Sequence, residues 1–191
     1  MRFLATFIFL AISSVLTYGD DEIYVSTEFG FLTIFPDSPE AIPVENSLGD
    51  ALVVTAGVVE EDTPKVLLYQ VITHRVDSMA QMPKFDEETV YSLTTNNLKQ
   101  FILKGRGTNF SSSRSKISKW PAIEFFCEHN DFFRDGIISY KRGYAFLNGD
   151  TYYKVIVHSL ENNDELKSEA LEFFAAFSFI DPETIKKLEN K

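Results

Sequence analysis

Ser139-Tyr-Lys-Arg-Gly-Tyr-Ala-Phe-Leu147 and Thr151-Tyr-Tyr-Lys-Val-Ile-Val157 stand on either side of Asn148-Gly149-Asp150, and the chain runs on to Phe173-Phe-Ala-Ala-Phe-Ser-Phe-Ile180. Two aromatic and β-branched runs around an Asn-Gly pair predict a β-hairpin. Asn148-Gly149 is expected as its two-residue type I′ turn, because both residues tolerate positive φ and that turn's twist matches the strands. In that hairpin Tyr140, Tyr144 and Phe146 share a core face with Tyr153, Val155 and Val157. The opposite face carries Lys141, Gly143, Tyr152, Lys154, Ile156 and His158. So mixed a face requires a covering helix, with a partner's binding surface as the alternative.

Beyond the hairpin, Asn162-Asn-Asp-Glu165 opens a helix in capping-box style, and Leu166, Ala170, Phe173, Phe174 and Phe177 share its apolar side. Asp181-Pro-Glu-Thr184 starts a short charged tail helix expected to fray at Lys191. Upstream, Ala122 to Glu128 and Ile137 to Leu147 read as strands, and the polar Gly107 to Ser118 as a loop or an edge strand. Apolar residues recur at helical spacing from Asp86 to Lys104, where Val90, Leu93, Leu98, Phe101 and Ile102 line one side. Asp86 is the expected N-cap and Gly105 lies just past the end. Tyr24 to Phe35 is strand-like and stopped by Pro36-Asp-Ser-Pro39, with a proline-bearing loop through Gly49 after it. Ala51 to Val59 and Val66 to Arg75 read as a second hairpin around Glu60-Glu-Asp-Thr-Pro64. Apolar residues on both faces of its second strand predict a central position, covered on both sides.

The first residues carry an address. Met1-Arg2, the apolar Phe3 to Leu16 and then Thr17-Tyr18-Gly19 form a secretory signal peptide over residues 1–19, cleaved after Gly19. The apolar stretch is shorter than the ~20 residues that span a bilayer. Residues 20–191 are therefore expected as one secreted or periplasmic domain with no stable membrane insertion. The chain has 18 Lys and Arg against 28 Asp and Glu, a formal net charge of −10, and losing Arg2 makes it more negative still. Such a surface repels phosphate, which argues against nucleic-acid and anionic-membrane partners. The single cysteine, Cys127, forms no internal disulfide, so the fold must stand on its core, and 18 Phe and 8 Tyr supply one. A monomer is expected, without metal or cofactor.

Candidate chemistry is sparse. Cys127 and His129 fall on the same side of a strand, the arrangement of a thiolate and its base. Ile123, Phe125 and Cys127 make that side apolar, which favours a buried cysteine. Glu124 and Glu128 lie on the other side around Phe126, as an acid and base pair or as solvated positions. His74, His129 and His158 sit on separate segments without ligand spacing. Glu60-Glu61-Asp62 lacks the alternating ligands and glycine of a calcium loop, and Asn109-Phe110-Ser111 fits a glycosylation acceptor. The two functions left open are a non-catalytic binding or accessory protein, and an enzyme built on Cys127 and His129 or on Glu124 and Glu128.

Several segments together resemble the PsbP-like, DcrB-like family. Phe31-Leu-Thr-Ile-Phe-Pro36 resembles its opening strand and Phe-Pro. Ile117-Ser-Lys-Trp-Pro-Ala-Ile-Glu-Phe125 is similar to its Pro-small-x-Glu-Phe strand, and Lys141 to Val157 to its Arg-x-x-aromatic, turn, Tyr-x-hydrophobic hairpin. Ala175-Ala-Phe-Ser-Phe179 resembles the closing Phe-x-x-Ser-Phe element, with Ala176 where the family usually has Ser. The resemblance implies an α+β fold, a three-layer α/β/α sandwich with a mainly antiparallel central sheet. It also implies an exported protein of the bacterial cell envelope, accessory or binding rather than enzymatic, with an envelope protein as partner. The absence of a lipid-attachment cysteine departs from many bacterial relatives.

Overall fold

The computed structural model describes residues 15–18, 21–46, 49–59, 66–79, 84–117, 120–130 and 136–189. In chain order these form β1 (Val15–Tyr18), β2 (Asp21–Ser26), β3 (Phe31–Phe35), β4 (Glu40–Asn46), β5 (Gly49–Val59) and β6 (Val66–Arg75). There follow α1 (Glu87–Lys104), β7 (Gly107–Ile117), β8 (Trp120–Asn130), β9 (Ile138–Asn148) and β10 (Thr151–Ser159). The chain closes with α2 (Asp164–Ala175), β11 (Ser178–Phe179) and α3 (Pro182–Glu189). The acidic turn Glu60-Glu61-Asp62 and the end at Lys191 lie outside the described residues, as does the expected signal peptide except for β1.

The central sheet is antiparallel throughout, in the order β4-β5-β6-β10-β9-β8-β7. Helix α1 packs on one face, over β7, β8 and β9, and α2 on the other, over β9, β10 and β3. This is the α+β sandwich expected from the sequence. Beside α2 lies a second, smaller sheet, β1-β2-β3-β11. The expected single run from Tyr24 to Phe35 is divided between two of its strands by the turn at residues 27–30, where Gly30 has φ +65°. The loop expected between Pro36 and Gly49 contains β4, which among the described residues pairs only with β5. Its Pro43 is tolerated because an edge strand has no neighbour waiting for that N–H. The polar segment from Gly107, expected as a loop or an edge strand, is β7, the opposite edge.

The hairpin forms, with its turn one residue later than expected. Thr151 pairs with Asn148 and Tyr153 with Phe146, so Gly149-Asp150 are the central residues. Positive φ occurs at Gly149 (+62°) but not at Asp150, which fits the type II′ pattern with glycine first rather than type I′. Each residue's partner moves by two places, an even shift, so no side chain changes face. Gly143 is required by close approach: a Cβ there would come within 2.3 Å of the Val155 carbonyl oxygen.

Two cores result. The larger lies under α2, where Phe146, Tyr153, Val155 and Val157 meet Leu166, Ala170, Phe173 and Phe177, and Phe31 and Phe35 of the small sheet close it. The smaller lies under α1 and joins Tyr91, Leu98 and Ile102 to Ile123, Phe125, Cys127, Ala145 and Ile156. Asp86 caps α1 as expected, its carboxylate accepting from the Thr89 N–H at 2.7 Å. The buried stripe of α1 is Tyr91, Thr94, Leu98 and Ile102, rotated from the expected one, so Val90 and Leu93 are only half-buried. Tyr91 turns inward because its hydroxyl reaches the Ser115 carbonyl at 3.0 Å. Strand β6 departs from expectation on one face: Leu67, Tyr69, Val71 and Thr73 are buried toward α2, whereas Leu68, Gln70, Ile72 and His74 opposite them are half-exposed. The main contacts of α1 with the sheet fall on β7, β8 and β9, and of the open face of β6 Ile72 packs at the margin of the core beneath α1.

Candidate functional site

The face of β9 and β10 left open between covering helix and partner surface is covered, and Tyr152, Lys154, Ile156 and His158 are all buried. Strand register places His158, Lys141 and Cys127 in one row across β10, β9 and β8. Cys127 is fully buried, and burial first of all pushes its thiol up to about 11, with Lys141 and Glu128 as the charges that bear on it. A nucleophilic thiolate needs a lowered pKa and access. This thiol has neither. His129 sits instead under the end of α1, where a Cβ on Gly105 would come within 3.2 Å of its Nε2. Thiol reagents near neutral pH should therefore leave Cys127 unmodified until the chain unfolds; stoichiometric labelling of the folded protein within minutes, read by mass spectrometry, would revive a cysteine mechanism.

Glu124 and Glu128 are four residues apart on β8, which separates their backbones by about 13 Å. Each has its own partner. Glu124 Oε1 lies 3.9 Å from Arg142 Nη1, Arg142 stacks over Phe126, and Glu128 Oε2 accepts from Asn109 Nδ2 at 2.6 Å. Asn109 itself is exposed at an irregularity in β7, with φ +47°. The histidines also divide. His129 lies close enough to His158 to act on it electrostatically, while His74 pairs with Tyr152 six residues along β10, about 20 Å away. Among the described residues no three His, Cys, Asp or Glu side chains gather as metal ligands would.

Concavity lies elsewhere, at the turn end of the hairpin on the α2 side. A cleft of about 620 Å³ opens there between the β2–β3 turn, the β9–β10 turn and the start of α3. Trp120 and Phe179, both half-buried, supply its aromatic surface, the buried rings of Phe29 and Tyr153 also line it, and Glu28, Arg75, Asp150 and Asp181 bring charge. Its frame is fixed by hydrogen bonds. The Tyr153 hydroxyl donates to the Phe29 carbonyl at 2.7 Å and Arg75 Nη2 to the Glu28 carbonyl at 2.8 Å. The Ile180 N–H donates to the Gly30 carbonyl and the Val76 N–H to that of Asp150, both at 2.9 Å. The Arg75 guanidinium lies 5.0 Å from the Phe29 ring centre and 3.8 Å from an Asp50 carboxylate oxygen. Burial, above all, raises the Tyr153 hydroxyl to about 12, so it stays protonated and keeps donating.

The sequence singled out none of these residues as a site, because five separate segments build it. The one local signal was Trp120, the single tryptophan of the chain; its ring stands edge-on to Phe179, with centres 5.5 Å apart. No family model matches this chain, and neither does any curated protein. Among solved structures it is similar to the solution structure of cyanobacterial PsbP (CyanoP) from Synechocystis sp. PCC 6803. Identity is 13%, the TM-score is 0.49, and the match covers 86% of this chain and 95% of that one. A likeness of that order transfers no residue and no role.

Proposed function

We propose that this chain is an exported, non-catalytic binding or accessory protein of the bacterial cell envelope, and that it engages a protein partner through the cleft at the hairpin end. The observation that carries this reading is the cleft itself: aromatic surface, convergent polar groups and a frame fixed by hydrogen bonds to the backbone are the attributes of a preformed binding site. The candidate catalytic groups favour binding over turnover too, since Cys127 is sealed under α1 and each carboxylate of β8 is separately engaged. Export rests on residues 1–19. Among the described residues no helix is long and apolar enough to cross a membrane. Residues 15–18 pair with residues 21–24, so cleavage after Gly19 would remove β1 and leave β2 as an edge of the small sheet.

A photo-cross-linking residue at Thr27, on the cleft rim, compared with one at Ser113, on the far edge strand, tests this in the producing cell. Thr27 should give a discrete adduct and Ser113 none, in protein that begins at Asp20 and is recovered outside the cytoplasm. Equal adducts from both positions, or a cytoplasmic chain that retains Met1, would overturn it.

A further inference from the structure

We propose that the cleft takes an organic cation, the ammonium or guanidinium end of a basic peptide side chain, held against Trp120 and Phe179 with Glu28 and Asp150 as its counter-charges. This deepens, and rests on, the reading of the cleft as the binding site. Three carboxylates and one guanidinium line it, so its charge balance is negative before any ligand arrives. The guanidinium is already committed. Arg75 lies over Phe29, faces Asp50 and donates to the Glu28 carbonyl, so it offers little to an incoming anion. It also shows, within the molecule, the very mode proposed for the ligand: a cationic head on a ring face, with oxygen acceptors at its edge.

The carboxylates differ in availability. Asp181 accepts from the Glu183 and Thr184 N–H groups and from the Thr184 hydroxyl, so it serves the start of α3. Glu28 is exposed on the rim, and Asp150, half-buried, accepts from the Thr151 hydroxyl at 2.8 Å. These two are left to meet a cation. Aromatic faces attract cations through their quadrupole, and carboxylates beside them select charge over mere apolarity. The net charge of −10 acts in the same direction at long range, drawing basic segments in and turning acidic ones away.

Trp120, as the single tryptophan, reports on the cleft without a label. Titrating the folded chain with tetralysine should give a saturable change in its fluorescence, which tetraglutamate does not give and 0.5 M salt suppresses. Glu28→Gln with Asp150→Asn should weaken tetralysine about tenfold, as expected for two partly exposed charge pairs. Thr27→Lys, which only adds a charge at the rim, should weaken it as well. If a neutral peptide of serine and phenylalanine binds as tightly as tetralysine, or if these substitutions change nothing, the cation preference is overturned while the cleft remains a binding site. If no peptide moves Trp120 the cation proposal also fails, and the Thr27 cross-link then decides whether the cleft binds a partner at all: an adduct keeps that reading, and its absence removes it.

Discussion

Phe146→Ala should destabilise the protein by about 3–5 kcal/mol, the usual cost of emptying a fully buried phenylalanine site. Phe146 has no exposed surface. Its ring lies parallel to Tyr153, with centres 5.2 Å apart, and edge-on to Phe177 and Phe179 at 5.4 and 5.8 Å. It therefore joins the hairpin, the chain just past α2 and the small sheet, and no neighbour can fill the space without breaking another ring contact. Domains are stable by only about 5–15 kcal/mol, so one such cavity removes a large share. In urea unfolding the midpoint should fall with the slope unchanged, and Phe146→Leu should lose clearly less. A loss under about 1 kcal/mol for the alanine variant would mean that the site collapses freely and that these rings are not a packed unit. The cleft shares the outcome, because Tyr153 and Phe179 both line it and are neighbours of Phe146.

Why some of this was legible in the sequence and some was not follows from the distance over which each signal acts. The faces of β9 and β10 depend on the parity of a strand, so they survived a two-place error in register; the turn type depends on which single residue takes positive φ, and Asn148-Gly149 and Gly149-Asp150 are equally plausible on paper. The stripe of α1 was displaced because Tyr91 and Thr94 do not look apolar, yet Tyr91 buries its ring by passing its hydroxyl to the Ser115 carbonyl. Strand β4 was hidden by Pro43, which is forbidden in the middle of a sheet and harmless at its edge. The cleft had no local signature. Arg75 ends one strand, Asp150 sits in a turn and Glu28 in another; the antiparallel order that places β6 beside β10 joins the first two, and the packing of the small sheet's turn on them adds the third. A fold written as periodicity can be read along the chain, whereas a site assembled from strand ends and turns cannot.

The row of polar groups under α1 leads to the second large effect, which has the opposite sign. Lys154→Met should stabilise the protein at pH 7 by about 1–3 kcal/mol. Lys154 is 4% exposed, and burial pushes its ammonium down to about 8 from 10.5; Lys141, 6% exposed, is likewise pushed down to about 8. Each Nζ lies over the Phe101 ring, at 5.1 and 5.8 Å from its centre, a contact that returns only part of the lost hydration. A lysine whose folded pKa lies about 2.5 units below its unfolded value carries a penalty of roughly 3 kcal/mol below pH 8. Methionine fills similar space without the charge, at the expense of the ring contact. Between about pH 8 and 10.5 the unfolded chain binds more protons than the folded one, so the lysine contribution makes stability rise with pH. Cys127, pushed up to about 11, and the buried tyrosines Tyr24 and Tyr153, raised to about 12, act the other way once pH passes their unfolded values of 9 and 10. His74 and His158, held neutral chiefly by burial and next by Lys154 and Lys141 respectively, add their own loss of stability as pH falls below about 6.5. From pH 8 to 9 the lysines prevail, and the wild type should gain about 1–2 kcal/mol, with the gain roughly halved in Lys154→Met. Urea unfolding of both proteins at pH 7, 8 and 9 measures each quantity. A wild type whose stability is flat or falling from pH 8 to 9, together with a methionine variant weaker at pH 7, would show that both ammonium groups are well solvated in the folded chain and that α1 does not seal the face beneath it.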